Sequence, residues 1–392
     1  MRCLWITRQD PRPADSGELI YTLGLLESLA AQPGIELTVL AHEPAKPCEG
    51  GPPVAWQLHG SIPAGRLKSL ASPLPADAFR LGNRIQRRAL ARLLERSWDW
   101  IVIDQAACAW ALGMIPRDQR IAYLAHNHET EVRRQVAADG GGSLPMRLAL
   151  RWDSLKYGRM EKRLCQRADL ITAITPRDAA AFRGESPGTP VRVLPPGYGG
   201  PIPAGPPREI SADTPRQVVL AGAFEWLAKR RNLETFLHAA AGPFGQAGIG
   251  FQVVGKADPA WFDSLARLHP WARFQANVPS VAPYLDQARI GLIPEALGGG
   301  FKLKALDYIF RGLPLASVDA ALSGVPVDPL TEAIAAPDPE SLAEAVAGRI
   351  DDLRFLNHAA NGALAACRHA FRWEDRGIAL AGALENPDRC RS

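Results

Sequence analysis

The chain has 392 residues, 47% of them hydrophobic, and a formal net charge of +4. That length can build two or three cores of ordinary size, and so modest a charge gives no global reason to expect nucleic acid as a partner. No run of 18 apolar residues occurs, which excludes a spanning helix, and Cys3-Leu4-Trp5-Ile6 enters a strand-like run at once, which argues against a cleaved signal peptide.

Short apolar runs alternate with helical periodicity from the start, the pattern of an α/β protein with mostly parallel sheets. In the first half, strands are predicted at residues 3–7, 36–41, 100–104, 120–125, 170–174 and 191–194. Helical periodicity lies between them, for instance at 19–30, 82–95 and 146–167. A basic stripe, Arg80, Arg84, Arg87, Arg88, Arg92 and Arg96, interleaved with Leu81, Ile85, Leu90, Leu93 and Leu94 and interrupted by one acid, Glu95, is predicted to span a helix. Such a helix can lie on an anionic membrane surface, or it can face the core with a solvated basic side. A Pro/Gly-rich stretch, 196–215, reads as a linker. The pattern then restarts with strands at 217–221, 251–254, 273–275, 289–293 and 315–317.

Two α/β domains are therefore expected, 1–195 and 216–372, with an interdomain cleft. In such sheets, ligands bind beyond the carboxyl ends of strands. Four loops obey that placement: Asp15-Ser16-Gly17-Glu18, His126-Asn127-His128-Glu129, the segment from Gly222 to Arg231, and Gly298-Gly299-Gly300. The six cysteines, Cys3, Cys48, Cys108, Cys165, Cys367 and Cys390, show no Cys-x-x-Cys pairing. A reduced cytoplasmic protein without structural zinc is the expectation.

The most informative segment is Gly298-Gly299-Gly300-Phe301-Lys302-Leu303-Lys304-Ala305-Leu306-Asp307. Glycines open onto a helix whose first turn is expected to hold two lysines, which oppose the helix dipole unless a polyanion sits there. Leu303, Leu306, Ile309, Phe310 and Leu313 form a core stripe, while Gly300, Lys304, Asp307 and Arg311 share another face. An ammonium and a carboxylate one turn apart suit a phosphate and a sugar hydroxyl of one ligand. They equally suit a solvated surface pair. The segment is neither a Walker A loop nor a Gly-x-Gly-x-x-Gly fingerprint.

Taken together, these motifs resemble the family-4 retaining glycosyltransferases, and of these a triple-glycine subgroup, which implies the GT-B architecture of two Rossmann-like domains. Asp15-Ser16-Gly17-Glu18 is similar to the family's Asp-Ser-Gly-Gly loop, and His126-Asn127-His128-Glu129 to its His-Asn-x-Glu segment. The run from Gly222 to Lys229 resembles Gly-Ser-Leu-Asp-Trp-x-Pro-Asn. The triple-glycine segment resembles Gly-Gly-Gly-Thr-Arg-Leu-Lys-x-Leu-Glu, and Phe371-Arg372-Trp373-Glu374 resembles the family's Phe-x-Trp-Glu. The chain departs from the family in four places. Asp307 stands for a glutamate, Gly299 stands where the acidic partner of Glu-x7-Glu would fall, Ala276-Asn277-Val278 replaces Gly-Phe-Val, and Pro195-Pro196-Gly197 replaces Pro-Asn-Gly.

The resemblance implies a transferase moving sugar from a nucleotide-diphosphate donor, UDP- or GDP-linked, to a saccharide or lipid-linked acceptor in surface polysaccharide or glycolipid assembly. Its donor is a substrate, with no cofactor and no metal. Lys304 and Lys302, then Lys229 and Arg230, would stabilise the departing diphosphate, although Lys229-Arg230-Arg231 also reads as an exposed basic loop. Gly222, Gly298, Gly299, Gly300 and Phe301 would line the donor, Asp307 would meet the ribose, and Asn277 and Val278 would present backbone groups to the base. Asp15, Ser16, Gly17 and Glu129 would lie on the acceptor side. His126 would lie against the donor sugar or acceptor hydroxyl. A satisfied core histidine and a zinc ligand beside His128 are its competing readings. The last helix, 373–392, would cross back to the first domain. Localisation would be cytoplasmic, at the inner membrane face. A nucleotide-sugar epimerase and a non-catalytic GT-B partner are the alternatives.

Overall fold

The computed structural model describes residues 1–44, 50–60, 66–138 and 143–387; Cys48, Cys390 and the last five residues of the expected C-terminal helix lie outside them. Two compact units are present, one of Met1–Gly197 with the segment from Arg372 onward, the other of Tyr198–Phe371.

The first unit holds a seven-stranded parallel sheet in the order β3-β2-β1-β4-β5-β6-β7. Its strands are β1 (Arg2–Gln9), β2 (Glu36–His42), β3 (Ala55–His59), β4 (Trp100–Asp104), β5 (Ile121–Ala125), β6 (Leu170–Ala173) and β7 (Val191–Val193). The central ones are buried on both faces, which is why they read as continuous apolar runs. The second unit has a six-stranded parallel sheet, β10-β9-β8-β11-β12-β13. It is built from β8 (Gln217–Ala223), β9 (Gly250–Lys256), β10 (Ala272–Ala276), β11 (Ile290–Ile293), β12 (Leu315–Val318) and β13 (Ala333–Ala336). Strand order reverses direction between β1 and β4 in one unit and between β8 and β11 in the other, so crevices form at the carboxyl ends of these pairs.

Three expectations need correction. The expected helix at 82–95 is present as Arg84–Leu93, but the stripe Arg80–Arg96 does not lie on one helix, since Arg80 and Leu81 end a separate one, Ala76–Leu81. Gly82 lies so close to the Trp110 ring that a Cβ would come within 2.7 Å of it. Asn83 then caps the second helix by accepting from the N–H groups of Ile85 and Gln86 at 2.9 and 3.0 Å. The basic stripe thus spans a helix break, and Arg84, Arg88 and Arg92 remain together on the exposed side of the second helix.

Residues 198–215 are coil, yet they are pinned to the second unit rather than free of it. Tyr198 stacks on Phe310 with ring centroids 4.5 Å apart. The backbone of Ile210 exchanges two hydrogen bonds with the Asn357 side chain, at 2.8 and 2.9 Å. Strands β3 and β13 were not anticipated from sequence at all.

The helix Trp373–Glu385 packs on the helix Gly17–Ala30 within the first unit. Glycine makes that approach possible: a Cβ on Gly24 would sit 2.4 Å from the Trp373 ring, and one on Gly377 2.1 Å from the Ser28 carbonyl. Cys3, Cys108, Cys165 and Cys367 are buried free thiols. Among the described residues, no helix is long and apolar enough to cross a membrane.

Candidate active site

In the second unit, the loops after β8 and β11 flank the reversal point and carry the glycine-rich segment. A Cβ on Gly255 (φ +140°) would strike the Gly222 carbonyl at 1.9 Å, so β8 and β9 end in close backbone contact. Gly222 in turn faces Lys304, whose Nζ lies 3.9 Å from where a Cβ would be. The loop after β11 is clamped from outside by Asn232. Its Nδ2 donates to the Leu297 carbonyl at 2.9 Å and its Oδ1 accepts from the Leu297 N–H at 3.0 Å. Gly298 and Gly300 take φ of +97° and +75°, values that favour glycine.

These turns shift the start of the following helix, which runs only over Lys304–Phe310. Lys302 lies before it rather than in its first turn, and its ammonium donates to the carbonyl of Gly299 at 2.6 Å. With seven residues the helix offers little dipole, and side-chain charge dominates the local field. Lys304 forms an ion pair with Glu295, an acid absent from the sequence-based site. Glu295 is 93% buried, and its Oε2 has no hydrogen-bond partner. Burial alone would push its carboxyl up, but Lys304, Lys302 and Lys229 together hold it below the ordinary carboxylate range. Crowding lowers the Lys229 ammonium, and Lys304 adds to that effect, although Lys229 keeps an exposed surface. One lysine thus bonds the buried carboxylate, and two more act on it through their charge.

The remaining candidates on this unit divide. Asp307 is half-buried and receives the Tyr198 hydroxyl; burial raises its carboxyl against the opposing pull of Tyr198 and Arg311. Phe301 packs against Phe371 at 5.5 Å. Arg230 is committed to its own loop, donating from Nε to the Phe224 carbonyl at 2.9 Å and lying over the Trp261 ring at 4.8 Å. Asn277 takes φ +54°, and its side chain bonds both backbone groups of Ala257, at 2.9 and 3.2 Å. It thereby ties the ends of β9 and β10 together. Val278 packs half-buried against the core. Buried Tyr308 was also missed: its hydroxyl accepts from the Ala221 N–H at 2.9 Å and donates to the Leu292 carbonyl at 3.3 Å, joining β8 to β11.

In the first unit, the fully buried Asp104 closes β4 and organises the loop after β5. It accepts from Trp5 Nε1 at 3.1 Å and from the Thr22 hydroxyl at 2.8 Å, and its Oδ1 lies 2.7 Å from His126 Nε2. Burial would raise its carboxyl, but His126, Thr22 and Trp5 outweigh that and hold it low. The other imidazole nitrogen, Nδ1, faces Gln105 Nε2 at 3.4 Å. Gln105 holds a strained φ of +73°. His126 is thus oriented by two residues the sequence did not single out, with Nε2 donating and Nδ1 accepting in the neutral form.

The zinc reading of His126 and His128 is not supported. His128 Nε2 lies 3.2 Å from Glu185, its Nδ1 accepts from the Glu131 N–H at 3.3 Å, and among the described residues no group of three His, Cys, Asp or Glu could hold a metal ion. Glu129 is engaged by Asn127 and Arg133, each at 3.0 Å. Buried Glu161 accepts from the N–H groups of Glu129 and Thr130 and fixes the start of the helix Glu129–Ala138. Ser16 precedes the helix Gly17–Ala30 without capping it through its hydroxyl, Asp15 is exposed, and Glu18 pairs with Arg8 at 3.2 Å.

Residues 16–197 match the family model described as a glycosyl transferase 4-like domain, and residues 215–352 that described as glycosyl transferases group 1. No curated protein sequence matches the chain. Among solved structures, a sucrose-phosphate synthase from Thermosynechococcus elongatus is similar at TM-score 0.73 and 19% identity, with 99% of each chain covered. WaaG, a glycosyltransferase involved in lipopolysaccharide biosynthesis, is similar at 0.66 and 16%, covering 98% of this chain and 100% of its own. HepE from Anabaena, solved in complex with UDP-glucose, is similar at 0.63 and 13%, covering 98% and 99%. At such identities the likeness speaks for the fold. The two family matches cover most of the sequence, one in each unit, and with them the chain belongs to the family-4-like GT-B glycosyltransferases and is an enzyme of that type.

Proposed function

We propose that the enzyme transfers a sugar, with retention of configuration, from a UDP- or GDP-linked donor to a saccharide or lipid-linked acceptor at the inner face of a membrane, in surface polysaccharide or glycolipid assembly. The observation that carries this reading is the cluster of Lys229, Lys302 and Lys304 around Glu295, beneath the glycine loop at the carboxyl ends of β8 and β11. Three cations against the buried Glu295 and, at Lys229 alone, Glu225 leave a positive excess where a diphosphate would sit. Fixed positive charge aimed at a leaving diphosphate is often the largest catalytic contribution. Lys304 is the central group, with Asp307 meeting the ribose and backbone groups near Asn277 and Val278 meeting the base. The neighbour solved with UDP-glucose and the neighbour in lipopolysaccharide biosynthesis support the donor and acceptor classes.

On the first unit, His126 Nδ1 is held loosely enough by Gln105 to exchange that contact for a sugar hydroxyl, while Asp104 keeps the ring in place. Attack on the same face as the departing phosphate, assisted by that phosphate, accounts for retention without a carboxylate nucleophile. The donor is a substrate, and the reading calls for no separate cofactor.

Calorimetric titration with UDP and GDP, followed by donor hydrolysis and transfer assays, tests this. Lys304→Ala is expected to weaken nucleoside-diphosphate binding at least tenfold while leaving nucleoside binding within about twofold, since a lost charged hydrogen bond costs roughly 1.5–3 kcal/mol. Equal loss for both would remove the diphosphate role. Binding without hydrolysis or transfer would move the reading to a non-catalytic partner.

A further inference from the structure

The helix Leu144–Arg167 carries a surface that no step above uses. At 24 residues it is about 36 Å long. Five large apolar side chains within its first twelve residues are exposed: Leu144, Met146, Leu148, Trp152 and Leu155, each by 44–66%. The spacing of Leu144, Leu148, Trp152 and Leu155 places them on one stripe about 100° wide. Arg151, Arg159 and Lys162 fall on the same stripe and are exposed. The helix's acids point elsewhere. Asp153 accepts from the Ala76 N–H at 2.8 Å, and Glu161 is fully buried under the Glu129 and Thr130 amides. Toward its C-terminal half the stripe borders an open cavity of about 840 Å³, where Arg134, Arg151, Arg159 and Lys162 meet a single acid, Glu185. Arg134 also pairs with Glu131, on the exposed side of its own helix.

We propose that this face docks on an anionic lipid surface. The leucines and Trp152 enter the boundary between headgroups and acyl chains, and the cavity's cations receive headgroup phosphates. Two features select lipid as the occupant. Apolar and cationic side chains share one stripe without an exposed acid, the pattern of an interfacial helix. The apolar half adjoins a cationic cavity, which matches the depth order of acyl chain and phosphate. The inference rests on the transferase reading only for the expectation of a membrane-borne acceptor. It also moves the membrane contact from the broken Arg80–Arg96 stripe to this helix.

The test is sedimentation with vesicles of phosphatidylcholine alone and with about one-third phosphatidylglycerol, with UDP binding measured on the same samples. The full chain is expected to bind the anionic vesicles at least tenfold more tightly, and to lose that preference in high salt. Leu148→Asp with Leu155→Asp, and separately Arg151→Glu with Arg159→Glu, are each expected to reduce binding at least tenfold with unchanged melting and UDP affinity. Arg84→Glu with Arg88→Glu is expected to change binding less than twofold. No vesicle binding by the full chain overturns the inference even if UDP binds, and vesicle binding without UDP binding leaves it standing while the donor reading falls. Vesicle binding that survives both sets of variants on this helix overturns it. So does an oligomer in sedimentation velocity that Leu148→Asp with Leu155→Asp converts to monomer, since the face would then be a contact between copies.

Discussion

Glu295 keeps its charge in a place where burial alone would neutralise it, because Lys304 is bonded to it and two further lysines share its field. Removing that charge affects stability and ligand binding in opposite directions. Glu295→Gln keeps the shape but leaves Lys304 without its counter-charge, which for a buried pair costs ~3 kcal/mol. Because the folded-state pKa of Glu295 is depressed, its stabilisation is fully present above the ordinary glutamate value and is lost as pH falls through the lower folded value. Denaturant melts of wild type and variant are therefore expected to differ by a constant amount above about pH 5, and to converge only as pH falls from the ordinary glutamate value through the lower folded one. The same substitution frees Lys304 and removes a negative charge beside the proposed diphosphate position. UDP is expected to bind about fivefold more tightly, a gain of roughly 1 kcal/mol at effective dielectric values near a surface. Weaker binding in titration would instead make Glu295 an orienting group for Lys304.

At the scale of elements, Asn232 couples the helix Leu227–Ala247 to the loop after β11 through two bonds to one backbone unit. Asn232→Ala removes both bonds to half-buried Leu297, at a cost of ~1 kcal/mol. It is expected to weaken UDP binding several-fold by loosening the glycine turns, with amide exchange rising in residues 294–303. Unchanged exchange there would show that the glycine loop holds itself. The strands were legible because parallel, doubly buried strands such as Trp100–Asp104 are continuous apolar runs. The two that were missed lack that signature. Ala55–His59 is a half-exposed edge strand, and Ala333–Ala336 is alanine-rich with weak strand preference. The glycine–lysine segment was visible as a local pattern, and its core stripe at Leu306, Ile309 and Phe310 is buried as expected. Asp104, Gln105 and Asn232 were not, since each acts on a residue brought to it by the sheet, and Glu295 was not, since it reaches Lys304 across a glycine loop with no strand or helix period. A carboxylate closing a strand at the reversal point, as Asp104 does, is the one local signal that could have pointed to them.

The whole molecule joins two sheets of like topology, and the chain returns to the first after completing the second. The returning helix Trp373–Glu385 is part of the first unit's packing: the Trp373 ring fills space left by Gly24 and by Gly197, where a Cβ would come within 2.4 Å in both cases, and it lies 6.3 Å from the ring of Tyr21. Tyr21 in turn meets the His126 ring edge-on at 4.9 Å and donates to the Leu194 carbonyl at 2.7 Å. Ending the chain at Phe371 therefore strips an apolar partner from the helix that backs His126, while the donor loops keep all their own contacts. Truncation is expected to raise amide exchange in residues 17–30 and 121–128 and to abolish transfer. UDP at 100 times its dissociation constant should still protect residues 222–226 and 294–303, since ligand held by the folded state alone adds about 2.7 kcal/mol. Loss of that protection in the truncated chain would mean that the donor loops depend on the returning helix, contrary to the contacts that hold Glu295, Asn232 and Tyr308 within the second unit.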